Sequence, residues 1–94
     1  MIKHIVMWKL TDPANAARFK AELDTCKGLV PGMRTFEVAT RTEDLEANVD
    51  VILNSAFDDK ASLEAYLVHP QHKKVTGVLG QLRESRHVLD YEIN

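Results

Sequence analysis

The chain has 94 residues, 45% of them hydrophobic and 28% charged, with a formal net charge of -2. That suits one domain over residues 1–94 with a modest core; it argues against nucleic acid, which leaves a basic footprint, and no apolar run approaches the roughly 20 residues of a membrane span. The lone Cys26 excludes an intrachain disulfide and a CxxC metal or redox motif, and no signal-like apolar segment follows Met1, so the expectation is a cytoplasmic protein.

In chain order, Ile2 to Leu10 predicts a strand with Ile2, His4, Val6, Trp8 and Leu10 on one face and Lys3, Ile5, Met7 and Lys9 on the other. Apolar groups on both faces predict that both sides of the sheet are covered. Asp12 as cap and Pro13 at the first helical position start a helix whose Ala16, Phe19 and Leu23 form an apolar stripe, ended by Gly28. Pro31 and Gly32 mark a turn. A second strand is expected over 33–42, an exposed acidic loop over 43–48 and a third strand over 49–57. Val49, Val51, Leu53, Ser55 and Phe57 share one face of that third strand. Asp58 or Asp59 caps a second helix with Leu63, Tyr66 and Leu67 on its apolar side. Pro70 interrupts it within His69-Pro-Gln-His72. A further helical run carries Val75, Val78, Leu79 and Leu82, and a fourth strand is expected over 86–93.

Strand, helix, strand, strand, helix, strand is the split βαβ arrangement, so the fold class is α+β: ferredoxin-like βαββαβ, a four-stranded antiparallel sheet with helices on one face. The other face would stay bare although its residues are apolar. A second copy of the sheet packed there resolves the conflict, which is the argument for a homodimer.

The chemistry-bearing residues cluster around the Pro70 break. His72 has the ordinary imidazole pKa near 6.5 that suits a general base. Tyr66, six residues earlier, would donate a hydrogen bond to a carbonyl as enolate charge develops. The bland reading is that His69 and His72 cap backbone groups at a helix junction or sit in water. His4, inside an apolar strand, needs a hydrogen-bond partner or a cavity. Trp8 reads as core or cavity wall. Asp90 and Glu92 share a strand face and read as interface ion-pair partners for Arg83 or Arg86. No set of three or four side-chain ligands emerges for a metal.

Several segments together resemble one family: Ile2-Lys-His-Ile-Val-Met-Trp-Lys-Leu10, Val30-Pro-Gly-Met33, Phe57-Asp58, Leu63-Glu-Ala-Tyr-Leu-Val-His-Pro-Gln-His72 and Asp90-Tyr-Glu92. In this order the chain resembles the stress-responsive α/β-barrel (Dabb) family of the dimeric α+β barrel superfamily. The tract from Tyr66 to His72 is the most specific part. The resemblance implies a homodimer whose two sheets face each other around a barrel-like cavity. Some plant members are polyketide cyclases that work by aldol condensation without a metal or organic cofactor. By that resemblance Tyr66 and His72 act together and His4 faces the cavity. The cyclases carry a further pocket histidine on the third strand, where this sequence has Val51.

Three functions are therefore in play. The first is a cofactor-independent acid-base enzyme, cyclase-like or isomerase-like, acting on a small apolar carbonyl-bearing molecule. In it His72, Tyr66 and His4 are catalytic, and Val6, Trp8, Val51, Leu53 and His69 contact the substrate. The second is a non-catalytic stress-response or ligand-binding dimer whose interior is filled by Trp8, Val51, Leu53 and Phe57. The third is an oxygen-using monooxygenase of the antibiotic-biosynthesis type.

Overall fold

Strand β1 (Ile2–Leu10) runs through the middle of the sheet because both its edges are paired. The computed structural model describes all of residues 1–94. After β1 come a short 3-10 turn (Pro13–Asn15), α1 (Ala16–Asp24), β2 (Met33–Thr40), β3 (Val51–Phe57), α2 (Lys60–Leu67), α3 (Pro70–Leu82) and β4 (Arg83–Glu92). The strands form one antiparallel sheet in the order β2-β3-β1-β4.

On β1, His4, Val6, Trp8 and Leu10 are buried while Met7 is exposed, so the helices cover one face only. Phe19 and Leu23 of α1, Leu63 and Tyr66 of α2, and Val75 and Leu79 of α3 press onto that inner face. The stripes read from the sequence are thus the buried faces, as 3.6-residue periodicity requires. On the outer face the register aligns Ile5 with Leu89 and Met7 with Ile52, and Tyr91 stands opposite Lys3. No element of this chain covers them: Met7 is 37%, Tyr91 43% and Leu89 64% exposed.

Several element ends differ from the sequence reading. β2 stops at Thr40 and β3 begins at Val51, because Asp50 spends its side chain on the chain junction. Its carboxylate accepts from the Leu10 amide at 2.7 Å and from Arg41 Nε at 3.0 Å, while its own amide donates to the Trp8 carbonyl at 2.8 Å. β4 begins at Arg83 rather than Arg86, since α3 runs straight into it. α1 ends at Asp24 and reaches Gly28 (φ 75°) through a turn. Asp59, not Asp58, caps α2, accepting from the Ser62 amide at 2.8 Å. Asp58 instead holds Arg34 through two hydrogen bonds of 2.5 and 2.7 Å. Gly32 (φ 90°) adopts a conformation open to glycine, and a Cβ there would lie 2.3 Å from Ser62 Oγ.

Candidate active site

Tyr66 lies three residues after Leu63 on α2, so both reach the core from the same helix face. Its ring packs against Phe57 (centroids 5.3 Å), His4 (6.2 Å) and His72 (4.5 Å). The residue is fully buried, yet its hydroxyl has no hydrogen-bond partner within the chain. Buried hydroxyls are normally bonded, so this one stands out, with the Cys26 thiol as a polar neighbour. Burial, reinforced by the nearby Cys26 thiol, pushes the phenol pKa well above its usual 10.0, so the group stays a donor at any ordinary pH.

Pro70 places its neighbour: His69 is extended (ψ 135°), and its Nδ1 accepts from the Gln71 amide at 3.1 Å, capping α3. The restarted helix brings His72 over Tyr66. His72 Nδ1 donates to the Leu67 carbonyl at 3.1 Å, because a carbonyl can only accept. That bond selects the tautomer with a free lone pair on Nε2. Burial, above all, lowers the His72 pKa below its usual 6.5. The Leu67 bond works against this, and positive charge on His4, Arg86 and His69 adds to the lowering. The imidazole is therefore neutral, and able to take a proton, near pH 7.

His4 stands on the inner face of β1, and the antiparallel register sets Asp90 of β4 directly opposite. Its Nδ1 donates to Asp90 Oδ1 at 2.5 Å, with His4 3% and Asp90 40% exposed. The Ser55 hydroxyl donates to the His4 backbone carbonyl at 2.7 Å and steadies the strand there. A charge-assisted bond of this kind orients the ring and leaves Nε2 as its remaining nitrogen.

These three side chains line one cavity of about 250 Å³. Val6, Trp8 and Leu53 form its sheet-side wall, and Leu23, Val75 and Leu79 its helix side. Trp8 is held edge-on against Phe19, with centroids 5.0 Å apart. The cavity lies within a single chain, between the inner sheet face and the helices.

Of the residues singled out from sequence, His4, Tyr66, His72, Val6, Trp8 and Leu53 come together here. Two do not. Val51 is a buried core residue opposite Trp8 and lines no part of this cavity. His69 spends its ring on the α3 cap. Within the chain Asp90 orients His4, and Arg83 and Arg86 reach the cavity wall. Setting the last strand of a βαββαβ fold beside the first and counting the antiparallel register would have pointed to Asp90. No three His, Cys, Asp or Glu side chains gather as a metal-ligand group, and no helix is long and apolar enough to cross a membrane.

The fold defines a class: ferredoxin-like α+β domains with a four-stranded antiparallel sheet. The chain belongs to the Stress responsive A/B Barrel Domain (Dabb) family, whose match spans residues 2–93. It is 33% identical over 78 residues to an uncharacterized protein of Streptomyces coelicolor, covering 78% of this chain and 80% of that one. It is similar in structure to a dimeric ferredoxin-like protein of unknown function from Bacteroides fragilis, with a TM-score of 0.81 and 28% identity over 98% of this chain and 95% of that one. It shares its fold with a hydroxynitrile lyase from Passiflora edulis, with a TM-score of 0.79 and 19% identity over 99% and 93% of the two chains.

Proposed function

We propose that this chain is a homodimeric, cofactor-independent acid-base enzyme, cyclase-like or isomerase-like, acting on a small carbonyl-bearing molecule held in the cavity. The observation that carries this reading is the buried, unpartnered Tyr66 hydroxyl on a ring that packs 4.5 Å, centroid to centroid, from the neutral His72 imidazole, whose Nδ1 is held by Leu67. A substrate carbonyl oxygen accepts from the Tyr66 hydroxyl, and His72 Nε2 removes the proton from the adjacent carbon. Charge moves onto the carbonyl oxygen, where the phenol already points a donor, so little reorganisation is needed. His72 then returns its proton to a carbon of the enolate, which forms the product. His4 orients the substrate, and any positive charge on its ring is balanced by Asp90. Val51 stands where the resembling cyclases carry a histidine, so proton transfer here rests on His72.

The homodimer is part of the same proposal. The uncovered Ile5, Met7, Ile52, Leu89 and Tyr91 supply the apolar face it needs, and the Bacteroides relative described as dimeric supports it. Sedimentation should give twice the chain mass, and a monomer would remove this part.

The test of the chemistry is proton exchange. Small ketones and β-keto esters are incubated with the protein in D2O, and deuterium gain at the α-carbon is followed by NMR. Catalysed exchange should fall by about 10²- to 10⁴-fold in His72→Ala, the usual worth of a positioned base. Undiminished exchange in that variant would sink the assignment. Ligand binding without exchange would favour the non-catalytic dimer, and oxygen uptake with a quinol would favour the monooxygenase.

A further inference from the structure

Arg83 and Arg86 are three residues apart on one strand, and simple alternation sends such a pair to opposite faces. Here they reach the same cavity. The reason is a register slip: Lys9 pairs with Ser85, but Leu10 pairs with Arg83, which leaves Glu84 without a partner. This bulge re-aims the strand, a known use of such irregularities beside functional sites. Arg86 therefore stands opposite Trp8, and Arg83 opposite Leu10, both on the inner face.

Neither guanidinium is neutralised. The ion pairs of the chain use Arg34, Arg41, Lys20, Lys60 and His4, and no carboxylate lies within pairing distance of Arg83 or Arg86. Asp90, on the same strand face, is committed to His4. Two free cations thus border a cavity that holds no carboxylate, in a chain whose net charge is -2, so they are not part of a general basic surface. A planar guanidinium fork matches a carboxylate, which it binds in a bidentate way. The cavity, about 250 Å³, falls below the roughly 300–1,000 Å³ typical of drug-sized ligand sites, which favours a compact molecule.

We propose that Arg83 and Arg86 are the specificity-determining anion site of this cavity, and that its ligand is a small organic carboxylate with an apolar body. The carboxylate rests on the two guanidinium groups, and the carbonyl-bearing part reaches inward to Tyr66 and His72. This deepens the acid-base reading above and rests on it for the orientation of the ligand.

The test is calorimetric titration of the intact protein with 3-phenylpropanoate, with neutral 3-phenylpropanamide and with inorganic phosphate. The carboxylate should bind at least about tenfold tighter than the amide, the scale of one charge-assisted contact. Arg83→Gln and Arg86→Gln should each lose about tenfold toward the carboxylate and leave amide binding unchanged. The double Lys variant keeps the charge without the fork; its circular dichroism and partial affinity guard against a simple folding defect. Equal affinity for carboxylate and amide, no carboxylate binding at millimolar concentration, or a double Gln variant that keeps its preference overturns the proposal. Phosphate that displaces the carboxylate at equal concentration also overturns it, by making phosphate the anion read. Because the readout is binding, the same titration on His72→Ala separates this site from the proton-transfer chemistry: a retained preference there supports the anion site even where exchange fails.

Discussion

Removing the Tyr66 hydroxyl should make this protein more stable while costing it activity. The hydroxyl is fully buried and lacks a partner in the chain, although in the unfolded state water satisfies it. Leaving such a group unsatisfied costs about 1–3 kcal/mol. Tyr66→Phe deletes that cost and keeps the ring against Phe57 and His72. The expected gain is about 1 kcal/mol, or about 4–8 °C in Tm for a domain of this size. An ordinary buried tyrosine, hydrogen-bonded through its hydroxyl, would instead lose about 1 kcal/mol on the same change. A cavity water on the hydroxyl brings the gain toward zero without producing a large loss. The assay is urea unfolding of both proteins at one fixed concentration, since assembly ties the midpoint to concentration, with the m-value checked for constancy. Proton exchange on the same samples should drop. A destabilisation beyond about 1 kcal/mol would mean the hydroxyl is bonded in the folded state; the group would then not be poised for a ligand, and the proposed role of Tyr66 would fall.

The His72 pKa is lowered on folding, so between its folded value and 6.5 the unfolded chain binds more protons; stability therefore rises with pH through that window and levels off above it. An NMR titration should place the His72 midpoint below 6.5, and the acid limb of activity with it; a midpoint at or above 6.5 contradicts the burial argument. A double-mutant cycle of His4→Ala and Asp90→Ala should show a coupling of about 1 kcal/mol, held down by the partial exposure of Asp90. A coupling near zero removes Asp90 from the site. Asp50→Ala should cost about 2–3 kcal/mol in urea unfolding, because it strands the buried Leu10 amide and releases Arg41. A loss no larger than that of a surface substitution would show that the junction is held by other groups. Gly32→Ala should be more damaging than Gly28→Ala: both have positive φ, but only at Gly32 does the new Cβ collide with Ser62. Equal effects would place the cost in the backbone alone.

How much of this was legible beforehand divides along a physical line. Strand alternation in β1, the Phe19–Leu23 and Val75–Leu79 stripes and the Pro70 break are local patterns, set by residues within a turn or two of each other, and they gave the element order and so the fold class. The rings of Tyr66 and His72 meet in the structure for a reason the spacing only hints at: Pro70 forces His69 out of the helix, and the restarted helix swings His72 back over Tyr66. Element ends were misplaced where a side chain took over from the backbone, as Asp50 does at the start of β3.

What the sequence could not decide was anything that depends on which strands lie side by side and in what register. Asp90 became the partner of His4 across 86 residues of chain, Arg83 was turned inward by one unpaired residue at Glu84, and a cavity formed under the helices of the chain itself. Periodicity assigns a residue to a face of its own element. Only the long-range pairing of β1 with β4 determines what stands opposite, because a slip of one residue carries every side chain to the other face.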